Sequence, residues 1–305
     1  MNSPVLCPHI FRISFCICLA LSISLVCAGA AEQPQQGFSF GAIADCQFCA
    51  VKGSGQRKYS LSNEKLSDCV DHLNSIDPEF VVHLGDFIDR DMESFDVVGP
   101  IFKRLKMPGY HVLGNHDFSV ADKYKIQVPE ILGMPGRYYH FKHANWRFIV
   151  LDGNDISFHA YPKESESFKA AEEYYSIHNI QSPRWNGAIG PDQMAWLKSL
   201  LIAAQSRNEN VALFCHFPIY PENVHNLWNA KEVLALTERF SCVKAYINGH
   251  NHSGNYGFRK NTHFLTLKGM VDTEISSYAV ISVSRESLHI KGYGRENDRI
   301  LTVTP

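Results

Sequence analysis

Six short apolar runs, each of strand length, punctuate this chain: residues 38–44, 80–84, 110–113, 147–151, 211–215 and 243–247. Five of them run within a few residues into Asp45, Asp86, Asn115, His216 and His250, the candidate ligands of one metal site. FSFGAIA runs into Asp45, with Gln47 two positions on; FVVHLG runs into Asp86; YHVLG runs into Asn115 and His116. VALFC runs into His216, and VKAYING into His250, with His252 two positions on. In an open α/β sheet the carboxyl ends of strands meet along one edge, where ligands bind. The spacing therefore predicts that segments far apart in sequence deliver their polar ends to one place. Asp45/Gln47 and His250/His252 are i, i+2 pairs, and an extended backbone would point both members of each pair to one face.

Helical patterns lie between the runs. Leu66, Cys69, Val70 and Leu73 recur at i, i+3, i+4, i+7, with Ser62 as the expected cap. Pro191-Asp192 opens a second helix carrying Met194, Leu197, Leu200 and Leu201. Strands alternating with helices predict an α/β fold. In the last third, HFLTLKGM, SYAVISVS and SLHIKGYG read as consecutive strands of an antiparallel portion.

The first 31 residues differ from the rest. An uncharged stretch from Ile13 to Ala31 ends in Ala28-Gly29-Ala30-Ala31, which reads as a secretory signal peptide cleaved near Ala30 or Ala31. A retained signal anchor is the alternative. The expected organisation is a leader over 1–31 and one domain over 32–305, secreted or periplasmic, with no stable membrane insertion after cleavage. Of nine cysteines, four (7, 16, 18, 27) fall in the leader and five (46, 49, 69, 215, 242) beyond it, too few for a disulfide scaffold. Cys46 and Cys49 form a lone C-x-x-C, which suits packing or one incidental disulfide better than a zinc knot. Formal net charge is −2, which argues against a nucleic-acid partner. An anionic substrate must be drawn by a local site.

GDFIDR (85–90), GNHD (114–117) and GHNH (249–252) resemble the signature blocks of the calcineurin-like metallophosphoesterases. A nearer resemblance is to manganese-dependent ADP-ribose/CDP-alcohol diphosphatases, carried by FSFGAIADCQF, FKRLKMPGYHVLGNHDF, WRFIVLDGND, WNGAIGPDQMAWL and HFPIYPENVHNLWNA. The resemblance implies a four-layer α/β fold with two mixed sheets packed face to face between helices. It implies that Asp45, Gln47, Asp86 and His252 hold one divalent ion. Asp86, Asn115, His216 and His250 would hold the other, with Asp86 shared. His116 would act on the leaving group, oriented by Asp89. Two ions bring +4 against −2 from Asp45 and Asp86, leaving about +2 to attract a phosphate. A nitrogen and oxygen donor set without thiolate suits Mn, Fe or Zn; the amide of Gln47 and the resemblance both favour Mn.

The implied reaction is hydrolysis of a small phosphate ester or a nucleoside-diphosphate-linked substrate to two monophosphates. The alternatives are a phosphomonoesterase or phosphodiesterase with other substrates, and a non-catalytic metal-binding relative. Arg90 is a candidate phosphate contact. Trp185-Asn186-Gly187 lies in a loop expected to cover a nucleotide base, with Asn186 touching substrate. Arg57-Lys58-Tyr59-Ser60 departs from the R-Y-Y-R of the nearer relatives.

Overall fold

The computed structural model describes Met1 and residues 37–303. The expected leader beyond Met1, its cleavage site and its four cysteines lie outside the described residues. In chain order the elements are β1 (Phe38–Ile43), α1 (Ser62–Ile76), β2 (Phe80–His83), α2 (Glu93–Phe102), β3 (Gly109–His111) and α3 (Val128–Ile131). There follow β4 (Tyr139–His143), β5 (Trp146–Val150), α4 (Glu166–Ile177), α5 (Pro191–Ser206), β6 (Asn210–Phe214) and α6 (Ala230–Thr237). The last third is β7 (Val243–Asn248), β8 (Asn255–Arg259), β9 (Thr262–Thr266), β10 (Ser277–Val283), β11 (Ser287–Gly294) and β12 (Arg299–Thr302).

Two six-stranded sheets form, in the orders β12-β11-β10-β1-β2-β3 and β4-β5-β6-β7-β9-β8. Both are mixed. β1, β2 and β3 are parallel, while β10, β11 and β12 run antiparallel to their neighbours. β5, β6, β7 and β9 are parallel, with antiparallel β4 and β8 at the edges. The inner strands are apolar because both faces are covered: β2 and β7 are buried along their whole length, whereas edge strands β4 and β8 alternate.

One core cluster joins the sheets, with Phe40 and Phe80 from the first meeting Phe148 and Phe214 from the second. Burying each such ring contributes about 1.5–3 kcal/mol. Helices α1 and α2 cover the outer face of the first sheet, and α5 and α6 that of the second, which gives four layers. Leu66, Cys69, Val70 and Leu73 of α1 are all fully buried. Pro191 stands at the first position of α5, behind Gly190 as N-cap.

Two local expectations are corrected. Ser62 does not cap α1: the 3₁₀ turn Tyr59–Leu61 runs straight into the helix, so Ser62 is already helical and its buried hydroxyl finds no partner among the described residues. A capping side chain works from a non-helical backbone, which Ser62 lacks. Nor are the three C-terminal strands neighbours. HFLTL forms β9, parallel to β7 in the second sheet, and only β10 and β11 pair, in the first. The chain crosses between sheets over residues 267–276, and that crossing carries Asp272. Cys46, Cys49, Cys69, Cys215 and Cys242 are free and buried. Among the described residues no helix is long and apolar enough to cross a membrane.

Candidate dinuclear metal centre

Asp45, Asp86 and Asn115 follow β1, β2 and β3, which are adjacent parallel strands; His216 and His250 follow β6 and β7, adjacent and parallel in the other sheet. The cluster is thus assembled from both sheets. Ligand atoms of Asp86, His216 and His250 lie within 4.8 Å of one another, as do those of Asp45, Asp86 and His252. Asp86 belongs to both groups, which is what a shared carboxylate requires.

The paired residues converge by a different route from the one expected. Asp45, Gln47, Asp86 and His250 have positive φ angles of 51, 45, 55 and 67°. Left-handed backbone at a residue with a side chain costs roughly 1–2 kcal/mol each. The turns therefore aim the side chains, not strand alternation. Hydrogen bonds hold these turns. His250 N–H donates to both carboxylate oxygens of Asp45, each at 3.1 Å. His116 N–H donates to Asp86 Oδ1 at 2.8 Å. Asp117, fully buried, accepts from the N–H groups of Asp86, Phe87, Ile88 and Gly114. Gly114 is needed for this approach, because a Cβ there would lie 2.2 Å from Asp86 Oδ1.

The three imidazoles are oriented by what their outer nitrogens touch. His216 Nδ1 donates to the Leu84 carbonyl at 2.9 Å, His250 Nε2 to Asn186 Oδ1 at 2.9 Å, and His252 Nδ1 to Asp272 Oδ1 at 3.1 Å. An acceptor on one ring nitrogen leaves a lone pair on the other, the usual support of a metal-binding histidine. Those inner nitrogens face the carboxylates and each other: His216 Nε2 lies 3.3 Å from Asp86 Oδ2 and 3.1 Å from His250 Nδ1, and His252 Nε2 lies 3.5 Å from Asp45 Oδ1.

Two lone pairs 3.1 Å apart repel unless something positive lies between them. Burial opposes charge on His216, yet the Asp86 carboxylate lifts it to about 9; His252 is lifted likewise to about 9 by Asp45 and Asp272. The site demands cations, and protons meet the demand when nothing else does. Gln47 Oε1 and Asn115 Oδ1 are buried oxygens without a hydrogen-bond partner among the described residues. Orphaned buried acceptors beside two carboxylates and three oriented imidazoles fit a pair of divalent ions.

His116 stands beside this cluster. Its Nδ1 lies 3.1 Å from the Asp89 carbonyl and 3.3 Å from Asp89 Oδ1, and Nε2 has no hydrogen-bond partner among the described residues. Burial disfavours the imidazolium, but Asp86 and Asp89 outweigh it and raise the pKa. Arg90 Nε donates to Asp89 Oδ2 at 2.7 Å and its side chain is half exposed. A cleft of about 600 Å³ is lined by Gln47, Asp86, Asn115, His116, His250 and His252 among others. Arg90 and Asn186, the two expected substrate contacts, do not line it. Arg90 is engaged behind His116, on Asp89. Asn186 is fully buried, its amide nitrogen donating to Ser182 Oγ and the Val224 carbonyl, its oxygen occupied by His250. Trp185 does line the cleft, its ring 5.0 Å from that of His250. Sequence reasoning missed Asp272 and the supporting part of Asn186, for which no motif exists, and Asp117, whose place inside GNHD was the available signal. It also missed Arg184, His159 and His225 on the cleft wall.

Two mixed sheets bringing paired carboxylates, amides and imidazoles to one cleft define a metal-dependent hydrolase of phosphate esters. The sequence model of the calcineurin-like phosphoesterases matches residues 38–254. The chain belongs to that family. It is 29% identical to a human protein named manganese-dependent ADP-ribose/CDP-alcohol diphosphatase, over 88% of this chain and 94% of the relative. An Arabidopsis thaliana protein of the same name is 29% identical over 87% of this chain and 96% of its own length. The crystal structure of a dimetal phosphatase from Danio rerio superposes with a TM-score of 0.79 at 25% identity, covering 89% of this chain and all of that one.

Proposed function

We propose that this chain is an exported, manganese-preferring diphosphatase that splits a nucleoside-diphosphate-linked substrate, of the ADP-ribose or CDP-alcohol kind, into two monophosphates. The observation that carries the diphosphate reading is a pair of guanidiniums. Arg57 and Arg184 both line the cleft, and neither makes an ion pair among the described residues. Arg57 is half-buried, with Tyr59 Oη as its hydrogen-bond partner at 3.5 Å, and Arg184 lies over the Phe158 ring at 4.7 Å. Positive charge left unmatched beside a phosphoryl site suits a second phosphate, which guanidinium binds through paired N–H groups. The names of the relatives agree with this reading and are the support for manganese. The leader over 1–31 is the support for export.

In this mechanism Asp45, Gln47, Asp86 and His252 would hold one divalent ion, and Asp86, Asn115, His216 and His250 the other. Bound there, such ions would supply charge withdrawal at the phosphoryl oxygens and a nucleophilic water at neutral pH. Leu84, Asn186 and Asp272 keep the three imidazoles in the ligating tautomer. His116, held through Nδ1 by Asp89, presents Nε2–H to the leaving oxygen. Arg90 neutralises the far side of Asp89. Arg57 and Arg184 take the distal phosphate, and Trp185 offers an apolar face beside His250.

The test is to purify the protein and offer ADP-ribose, CDP-choline, a nucleoside monophosphate and bis(4-nitrophenyl) phosphate, each with Mn, Zn, Fe or Mg. The expected outcome is highest kcat/KM on a diphosphate with Mn. Turnover of the monophosphate alone would overturn the substrate assignment, and bound metal without any turnover would favour a binding protein.

A further inference from the structure

His159 lines the same cleft as His116 and Asn115, in the connection between β5 and α4, and the mechanism above does not use it. Its Nε2 lies 2.7 Å from Oδ1 of Asn154. The orientation of that amide is decided by its other contacts. Asn154 Nδ2 donates to the Leu113 carbonyl at 2.9 Å and to Asp152 Oδ1 at 3.2 Å, both of them acceptors. Asp152 is itself pinned by Arg137, whose Nε donates to Oδ2 at 2.7 Å. Asn154 and Asp152 are fully buried. Asn154 can therefore offer His159 only its oxygen, and an oxygen facing Nε2 requires the proton to be there. Nδ1 is left with a lone pair, and among the described residues it has no partner.

This fixes what His159 can recognise. Burial keeps the ring neutral, its pKa lowered to about 3 although Asp86 pulls the other way. A neutral imidazole with an unpaired Nδ1 accepts a hydrogen bond and offers none there. Phosphoryl oxygens are acceptors too and gain nothing from it. A hydroxyl does gain. The ring shares the cleft wall with His116, the residue that faces the leaving oxygen in that mechanism.

We propose that His159 is a specificity-determining residue that accepts a hydrogen bond from a hydroxyl on the leaving group, favouring polyol or sugar phosphates over plain alkyl phosphates. The proposal rests on the phosphoesterase reading for the use of the cleft. His159 positions and selects, and takes no proton from the reacting atoms.

Glycerol 3-phosphate and propyl phosphate share the phosphate and the carbon chain and differ in their hydroxyls. Their dissociation constants, measured by calorimetry on the metal-loaded protein, are expected to favour glycerol 3-phosphate by roughly tenfold, the scale of one good hydrogen bond. His159→Phe brings that ratio to about one, and His159→Gln, which keeps an amide acceptor, restores part of it. Absence of a preference in the unaltered protein would overturn the proposal. So would a ratio unchanged in His159→Phe, including equal weakening of both ligands, which is the mark of a structural role. If the protein turned over no phosphate ester, the phosphoesterase reading would fall, while the binding ratio would still decide His159.

Discussion

Asn186 and His250 are joined by a 2.9 Å hydrogen bond from imidazole Nε2 to amide Oδ1, and that bond decides which nitrogen of His250 faces His216. Asn186 cannot turn its amide around, because its nitrogen already donates to Ser182 and Val224. Replacing it by leucine, of similar size, removes the acceptor and frees His250 to carry its proton on either nitrogen. Loss of such an outer partner typically weakens metal affinity 10–100-fold. Titration of metal-stripped Asn186→Leu with Mn should show one of two binding events weakened by that factor. Two unchanged events would remove the supporting role.

The same tautomer argument makes metal loading a proton-releasing reaction. Without ions, Asp86 lifts His216 and Asp45 lifts His252, each to about 9, so both rings are charged at pH 7. Ligation needs their inner nitrogens bare. Loading at pH 7 should release about two protons, and fewer as pH approaches 9 and above. Calorimetry in buffers of different ionisation enthalpy reads this number directly. A value near zero at pH 7 would mean that these two rings are not ligands.

His116→Ala should lower kcat by roughly 10²–10⁴ on substrates with poor leaving groups, the usual contribution of a positioned acid. The loss should shrink for 4-nitrophenyl esters, whose leaving oxygen needs little help from a proton. The measurement is the ratio of kcat losses between an alkyl phosphate ester, whose alkoxide is a poor leaving group, and bis(4-nitrophenyl) phosphate. Equal losses on both would indicate that His116 only braces the loop it shares with Asn115.

Arg57→Ala should raise KM for a diphosphate by about 10–100-fold, since a hydrogen bond to a charged partner contributes roughly 1.5–3 kcal/mol. It should raise KM for a monoester much less. A uniform change across both substrates would place Arg57 in the fold of the 57–59 turn and not on the distal phosphate.

The strand-end positions were legible because each parallel strand is a short apolar run that must end where the layer ends, and ligand-type residues occur just there. Asp45, Asp86, Asn115, His216 and His250 were singled out in this way, and the fold brings Asp45, Asp86, His216 and His250 into one cluster. What was not legible is everything decided by tertiary contact. The left-handed turns at Asp45, Gln47, Asp86 and His250 violate local preference and persist because Asp117 and backbone groups from other strands hold them. Asp272 sits in a crossing between sheets that reads as a loop, and only the fold brings it under His252. Asn186 looked like a substrate contact because it is polar and lies in a loop, yet that loop packs inward over His250. Arg90 stands next to Asp89 in sequence, its Nε is engaged on that carboxylate, and it does not line the cleft.

A buried histidine pair away from the cleft predicts how the fold responds to acid. His83 of β2 and His111 of β3 are both buried, with ring centroids 5.7 Å apart and the Phe87 and Phe102 rings against them. Both nitrogens of His83 and Nδ1 of His111 lack a hydrogen-bond partner among the described residues. Burial drives the pKa of His83 far down and that of His111 to about 3. The unfolded chain protonates such rings near 6.5 and the folded one does not, so the unfolded state binds more protons below that pH and stability falls as pH falls. The effect begins near pH 6.5 and continues, for His111, down to about 3. At pH 5 each ring costs about 2 kcal/mol relative to pH 8. His216 and His252 act in the opposite sense, with raised pKa values whose stabilisation is lost as pH rises, so the comparison must be made between variants of the metal-stripped protein. Between pH 8 and pH 5, His111→Leu should lose about 2 kcal/mol less stability than the unaltered chain, read from the urea midpoints of both proteins at both pH values. An identical pH dependence in the two proteins would show that His111 is charged, or hydrated, inside the fold.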